Sequence, residues 1–543
     1  MLRNVLLLLN TVKYLKLSQI LGRFKRKFVK LEPDLSSAPS ISIPTNKLQP
    51  IAQRQSRMLS ESKFRFLNVT SNVKTAEDWN SPNQDKLWLY NLHYFDDLNS
   101  NEADQRVDLH RNLIQRWINE NPPGFGNGWE AYPSSLRIVN WIKWSLLGNS
   151  FEQGSLDSLA IQVRYLSSNV ETHLLGNHIF SNAKALLFAG LFFKGKEADY
   201  WYQIGLNIIN KELPEQVLSD GGNFELSPMY HAIFLEDLLD LVNIHQVYNK
   251  RLATDIQSTI LSMFGWLKTM CHPDGEISFF NDSAIGIAQS LKELLEYGKR
   301  LNITCANDSI DTLRWLKDSG YIRVQKENLV SIIDVANIGP DYIPGHGHAD
   351  TLSFELSLFG ERVIVNSGTS CYSDSKERFR QRSTVAHNTV VIDAENSSEV
   401  WGSFRVARRA NPFNLAINES DKVVNISCSH DGYKRLKGNH IHSRRWIFNA
   451  SEMIIEDVIS GDFKRAEAHF YFHPDIKIDL NHKEDRGIIH LSDGKEIVLD
   501  IYSGVASLSS STYHPEFGLS VDNTCLSIYF DSSSIKVGFS WLG

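Results

Sequence analysis

Between about residues 85 and 315, apolar residues return at i, i+3, i+4 and i+7. The segments "VDLHRNLIQRWINE", "SSLRIVNWIKWSLL", "FSNAKALLFAGLFF", "HAIFLEDLLDLVNIHQVY" and "TILSMFGWLKTM" carry this spacing, which lines one face of an α-helix. Turn-forming stretches such as "NPPGFGNG", "SDGGN" and "HPDGE" separate them. With no strand-like runs between, the pattern predicts stacked helical hairpins. Near residue 318 the period shortens. "GYIRVQ", "LVSIIDVA", "SFELSLFGERVIVNSG", "RRWIFNASEMIIEDVIS" and "GIIHLSDGKEIVLDIYSG" are short β-rich runs divided by turn signals. Many strands in succession without helices predict a large antiparallel sandwich. Residues 32–60 are rich in Pro, Ser and Thr and lack a period, as an irregular arm would. The expected organisation is an N-terminal helix and arm over 1–84, a helical domain over 85–317 and an antiparallel β-sandwich over 318–543, with a cleft between the two halves.

The chain starts "MLRNVLLLLNTVKYLKLSQILGRFKRKF". Leu2, Leu6, Leu9, Val12 and Leu15 are helically spaced and a basic run follows. This predicts an amphipathic helix that docks on the protein or makes peripheral contact with a membrane. Asn10 and Lys13 interrupt the apolar run and no small-residue cleavage site follows, so there is no clear signal peptide. Cytoplasmic location is the favoured expectation, periplasmic the alternative. No later run has the length of a membrane span. The 543 residues carry a net charge of −7, which excludes a general nucleic-acid binder and requires any polyanionic ligand to find a local basic patch. Five scattered cysteines without a C-x-x-C read as free thiols.

Four polar clusters interrupt apolar surroundings. In "ETHLLGNHIFSN", Asn177 and His178 follow Gly176 at the opening of a helix, where an Asn also suits a cap. In "SDGGNFELSPMYHAIFLEDLLDL", Ser227 and Pro228 read as N-cap and first helical residue. Tyr230 then sits in the first turn, where the positive helix end favours an anion, and Glu225 stands just before the cap. An ordinary core tyrosine fits the same position. In "IPGHGHADTLSFELSLFG", alternation from Leu352 onward, counted back by twos, puts Asp350, His348 and His346 on the apolar side. Such groups need a partner, a metal or a ligand unless they lie in a solvated loop. In "RFRQRSTVAHNTVVID", His387 opens a strand. Arg378, Arg380 and Arg382 precede it and Arg405, Arg408 and Arg409 follow, a basic patch suited to an anionic ligand if it is more than a surface loop.

"LLGNHIFSN", "GGNFELSPMYH", "GHGHADTLSFEL" and "RSTVAHNTVVID", in this order on a helical-then-β chain, resemble the heparinase II/III family of polysaccharide lyases. "NLHYFDDL" and "GNGWEAYPSSLRIVNW" are similar to parts of its helical domain. The resemblance covers roughly residues 85–410. It implies an incomplete (α/α) toroid followed by an antiparallel β-sandwich, and β-elimination at a hexuronic acid of an anionic polysaccharide or oligosaccharide: loss of the C5 proton and departure of the oxygen on C4. By resemblance, Asn177 and His178 hold the uronate carboxylate, Tyr230 is base, acid or both, and His346 is the second acid/base group. Arg137, Glu225 and Asp350 would orient these groups, and Arg137, Glu225, Arg378, Arg382, Arg405 and Arg408 would line the substrate site. His348, Asn366 and His387 match positions that hold one divalent metal in relatives, commonly zinc; Asn366 stands where an aspartate is expected. A uronate C5-epimerase using the same proton abstraction, or a non-catalytic glycan-binding protein of polysaccharide assembly, would fit the same residues.

Overall fold

The computed structural model describes residues 2–28, 31–252, 256–305, 312–420 and 422–542. Two short helices, α1 (Leu2–Val12) and α2 (Leu17–Phe28), take the place of the single N-terminal helix expected. The arm after them runs extended over the helical half, its backbone bonding to Phe192, Val247 and the Asn243 side chain. A three-stranded meander spans residues 58–72.

The helical half consists of α3 (Lys86–Tyr94), α4 (Val107–Glu120), α5 (Ala131–Leu146), α6 (Gln153–Ser168), α7 (Gly176–Phe192), α8 (Lys196–Gln216), α9 (Pro228–Val247), α10 (Ile256–Met270) and α11 (Leu291–Arg300). Helices α7 and α9 are buried almost all round, as inner helices of a toroid must be. Their N-termini face the sheet half. For α9 the cause is local: the Ser227 side chain accepts from the Tyr230 N–H at 3.2 Å and Pro228 occupies the first helical position. For α7, Leu175 just before the helix and Gly176 at its first position both take positive φ. A Cβ on Gly176 would fall 2.5 Å from Glu225 Oε1, so only glycine fits beside that carboxylate.

The sheet half opens at Leu313. A five-stranded antiparallel sheet (Leu313–Leu316, Tyr321–Lys326, Leu329–Asp334, Phe354–Leu358, Glu361–Ile364) faces the toroid. A four-stranded and an eight-stranded antiparallel sheet complete the half, sharing one core that includes Phe354, Phe470, Trp446 and Phe539. A separate cluster containing Leu226, Trp266, Phe280, Tyr321 and Ile332 joins the two halves. Helix α12 (Lys376–Arg382) caps the site from the sheet side.

The half-buried alternation expected after Leu352 is not what forms. All five residues of Phe354–Leu358 are buried, because the toroid covers the polar face. Glu355 there accepts from His272 Nε2 at 2.8 Å, and Ser357 bonds to the other ring nitrogen. Nor does the strand reach back to the histidines: Leu352 has φ +64°, and His346 lies in a 3₁₀ turn.

Candidate active site

Four segments converge at the junction of the halves, and each is preceded or followed by a non-glycine residue at positive φ: Leu175, Leu226, Asn281 and Leu352. Such conformations cost about 1–3 kcal/mol each and persist where the surroundings enforce them. Asn177 and His178 come from the start of α7, Tyr230 from the start of α9, and His346 from the turn before the Phe354 strand. The rings of Tyr230 and His346 lie 4.0 Å apart, centroid to centroid. Asn177 N–H donates to Glu225 Oε1 at 3.3 Å, and Glu225 Oε2 stands 3.6 Å from His346 Nε2. The expected catalytic residues therefore meet at one place between the halves.

The centre of this arrangement is a residue that the sequence patterns do not single out. Asp282 is fully buried and receives a two-pronged guanidinium from Arg378, His346 Nδ1–H at 2.9 Å and His348 Nε2–H at 2.9 Å. Burial alone would raise its pKa; the Arg378 charge and the histidine and arginine bonds outweigh it and hold the carboxyl well below the usual range. Since Asp282 occupies Nδ1, His346 leaves Nε2 on the side of Glu225 and Tyr230. Tyr372, also unforeseen, bonds the Tyr230 hydroxyl at 2.9 Å. Burial pushes the Tyr230 phenol well above 10, and Tyr372 adds to this, so at neutral pH it carries its proton.

A second pair flanks the first. His178 Nδ1–H donates to Glu171 at 3.2 Å, and its ring lies against Tyr132 with centroids 4.6 Å apart. Desolvation would lower the imidazole's pKa, but the buried Glu171 carboxylate more than reverses this and raises it. The charged form of His178 thus persists to higher pH than that of a free histidine. Its stabilising contribution is complete below the unfolded value of about 6.5 and is lost as pH rises through the higher folded value. Glu171→Gln is expected to return the His178 titration, followed by NMR of labelled histidine, to below 6.5; an unchanged titration would show that Glu171 does not set it.

The expected arginine lining is corrected by burial. Arg378 is held by Asp282. Arg382 is buried and donates to the carbonyls of Gly347 and Gly402, at 2.8 and 2.9 Å. It thereby fixes the loop between the two histidines. Gly347 itself has no room for a side chain, since a Cβ would meet the Ile338 carbonyl at 2.4 Å. Arg137 is buried inside the toroid against Trp117, donating to Gln162 and the Gly128 carbonyl, and does not face substrate. Arg408 is exposed but paired with Glu399 at 2.7 Å. Arg405 is exposed, over the Trp401 ring.

Behind Asp282, the ligand atoms of His348, Asp350 and His387 lie within 4.8 Å of one another, all buried. His348 gives Nε2–H to Asp282 and leaves Nδ1 without a partner. His387 is kept neutral by burial and by His348. Its Nε2–H donates to the Gln381 carbonyl at 3.1 Å, leaving Nδ1 as a lone pair beside the Asn366 amide. Asn366 Nδ2 is also unpartnered. Asp350, raised by burial and adjacent to Asp334, supplies the carboxylate that Asn366 does not. The unpartnered His348 Nδ1, the Asp350 carboxylate and His387 Nδ1, the last on giving up its contact with Asn366, form a donor set that suits a zinc-like cation.

The fold and this cluster define a helical-toroid and β-sandwich protein with a paired phenol and imidazole at the junction. Two family models match in tandem, the heparinase II/III N-terminus over residues 114–309 and the heparinase II/III-like C-terminal domain over 311–535. The chain belongs to the heparinase II/III family. It is 23% identical over 350 residues to a heparin-sulfate lyase of Bacteroides stercoris, covering 60% of this chain and 50% of that protein. It is 25% identical over 320 residues to one of Pedobacter heparinus, covering 52% and 47%. The chain thus spans about half the length of the curated relatives it matches. A crystal structure of heparinase III superposes with a TM-score of 0.68 at 16% identity, covering 88% of this chain and 79% of that one.

Proposed function

We propose that the protein is a polysaccharide lyase that cleaves a uronate-containing glycan by β-elimination. The observation that carries this reading is the Tyr230–His346 pair: a protonated phenol in ring contact, tilted by 34°, with an imidazole whose Nδ1 is held by Asp282. His346 Nε2 takes the C5 proton. The electron pair forms the C4–C5 double bond, the C4–O bond breaks, and the Tyr230 hydroxyl protonates the departing oxygen. The imidazolium formed at His346 stands between the Asp282 and Glu225 carboxylates, which stabilise it. A proton beside a carboxylate is poorly acidic because its removal adds charge to an anion. His178, whose charged form Glu171 favours, and the Asn177 amide at the start of α7 meet that charge, an effect worth about 10²–10³ in rate per donor. Tyr372 keeps the phenol aimed and returns its proton from solvent.

A divalent cation, if bound, would be held by His348, His387 and Asp350 and would cross-link the two loop segments behind Asp282; no step passes through it. Asn366→Asp adds a second carboxylate at this cluster. It is expected to raise zinc content and the zinc-dependent rise in melting temperature, while His387→Ala removes both. Equal zinc content in all three proteins would refute the assignment.

The reading is tested by incubating the protein with a panel of uronic-acid polymers and following ultraviolet absorbance. A lyase generates absorbing unsaturated ends. Absence of absorbance with any uronate polymer, while glycan binding persists, would favour a binding protein instead.

A further inference from the structure

We propose that the N-terminal helix pair is a docking surface for an anionic lipid bilayer, an inference independent of the reaction. Helix α2 is seated in the reverse sense of an ordinary surface helix. Its inward side is polar or bare: Gln19 is buried and donates to the Tyr342 carbonyl at 3.2 Å. Gly22 lies so close that a Cβ would meet His173 Cβ at 2.8 Å, and Arg26 donates to His173 Nε2 at 2.7 Å. Its outward side is apolar. Leu17, Leu21, Phe24 and Phe28, at i, i+4, i+7 and i+11, are 58–75% exposed. Leu6, Leu9 and Val12 of α1 are 42–60% exposed and extend the apolar surface.

The pair cannot simply roll to hide this face, because it is fastened to both halves. Thr11 donates to the Val406 carbonyl and accepts from Trp401 on the sheet side. Lys16 pairs with Glu215 at 2.7 Å on the helical side. Charge selects the occupant. Residues 2–28 hold seven Lys or Arg and no Asp or Glu, in a chain of net −7. An apolar stripe in a segment whose charged residues are all basic matches the acyl boundary and headgroups of an anionic leaflet. A second copy would bring another segment of the same basic charge against this one, which opposes association. Among the described residues no helix is long and apolar enough to cross a membrane, so the contact is peripheral.

The test is vesicle flotation of the full chain carrying its purification tag at the C-terminus. The protein is expected to float with phosphatidylcholine–phosphatidylglycerol vesicles at low salt and progressively less as salt rises. It should remain behind with pure phosphatidylcholine. Replacing Leu17, Leu21, Phe24 and Phe28 together with serine is expected to lower the bound fraction at least about tenfold, with the melting temperature unchanged because all four are exposed. Leu6→Ser with Leu9→Ser, on the other helix, gives a second measure should that variant fold poorly. The proposal is overturned if the unaltered protein ignores anionic vesicles, or if both variants float as it does. It is equally overturned if the substitutions convert a dimer to a monomer while vesicle binding is absent throughout.

Discussion

Replacing Tyr230 with phenylalanine is expected to lower kcat/KM on a uronate polymer by roughly 10²–10⁴, the range for loss of a positioned proton donor. The substitution removes one oxygen and its bond to Tyr372 while leaving the ring on His346. The packing and KM should therefore change little and the loss should fall on kcat. Tyr372→Phe separates two roles. If Tyr372 only positions the phenol, its loss is smaller than that of Tyr230, and the Tyr230→Phe/Tyr372→Phe double variant is no worse than Tyr230→Phe alone. Full activity in Tyr230→Phe would remove the phenol from the mechanism.

The second large effect is expected at Asp282. Asn at this position has nearly the same shape but leaves the buried Arg378 guanidinium without its countercharge. Removing one partner of such a buried pair costs about 3–5 kcal/mol, and here His346 and His348 lose their anchor as well. Asp282→Asn should therefore lower the unfolding midpoint and raise hydrogen exchange around residues 344–350 and 376–387. It should also abolish turnover, since His346 is no longer oriented. Arg378→Met added to Asp282→Asn is expected to restore part of the stability, because it removes the orphaned cation, but none of the activity. The pH dependence has a definite sign. A carboxyl held below its unfolded value of about 3.9 stabilises the fold fully above that value. The contribution is lost as pH falls toward the folded value, so the Asp282→Asn protein should show a flatter acid limb than the parent.

The helical-then-β order is legible because the period of apolar positions changes near residue 318, and the capping of α9 because Ser227 and Pro228 are local signals. The candidate proton-transfer residues came from the family resemblance rather than from spacing. Asp282 was not legible. Its partners lie 64, 66 and 96 residues away in sequence, and "FFND" carries no pattern to mark it. The arginines were misread for a related reason. Spacing cannot distinguish an exposed arginine from Arg378 or Arg382, whose roles are fixed by an aspartate and by carbonyls on other segments. The Phe354 strand looked half-buried because its polar face is real; the sequence does not reveal that the toroid covers it and pairs Glu355 with His272.

The account rests on removal of the C5 hydrogen with departure of the C4 oxygen, and mass spectrometry of a uronate oligosaccharide treated in deuterated water tests this most directly. The predicted products are two shorter chains, one ending in a 4,5-unsaturated sugar, with no carbon-bound deuterium in either. An uncleaved chain that has gained deuterium on carbon, or fragments that have gained the elements of water, would contradict it.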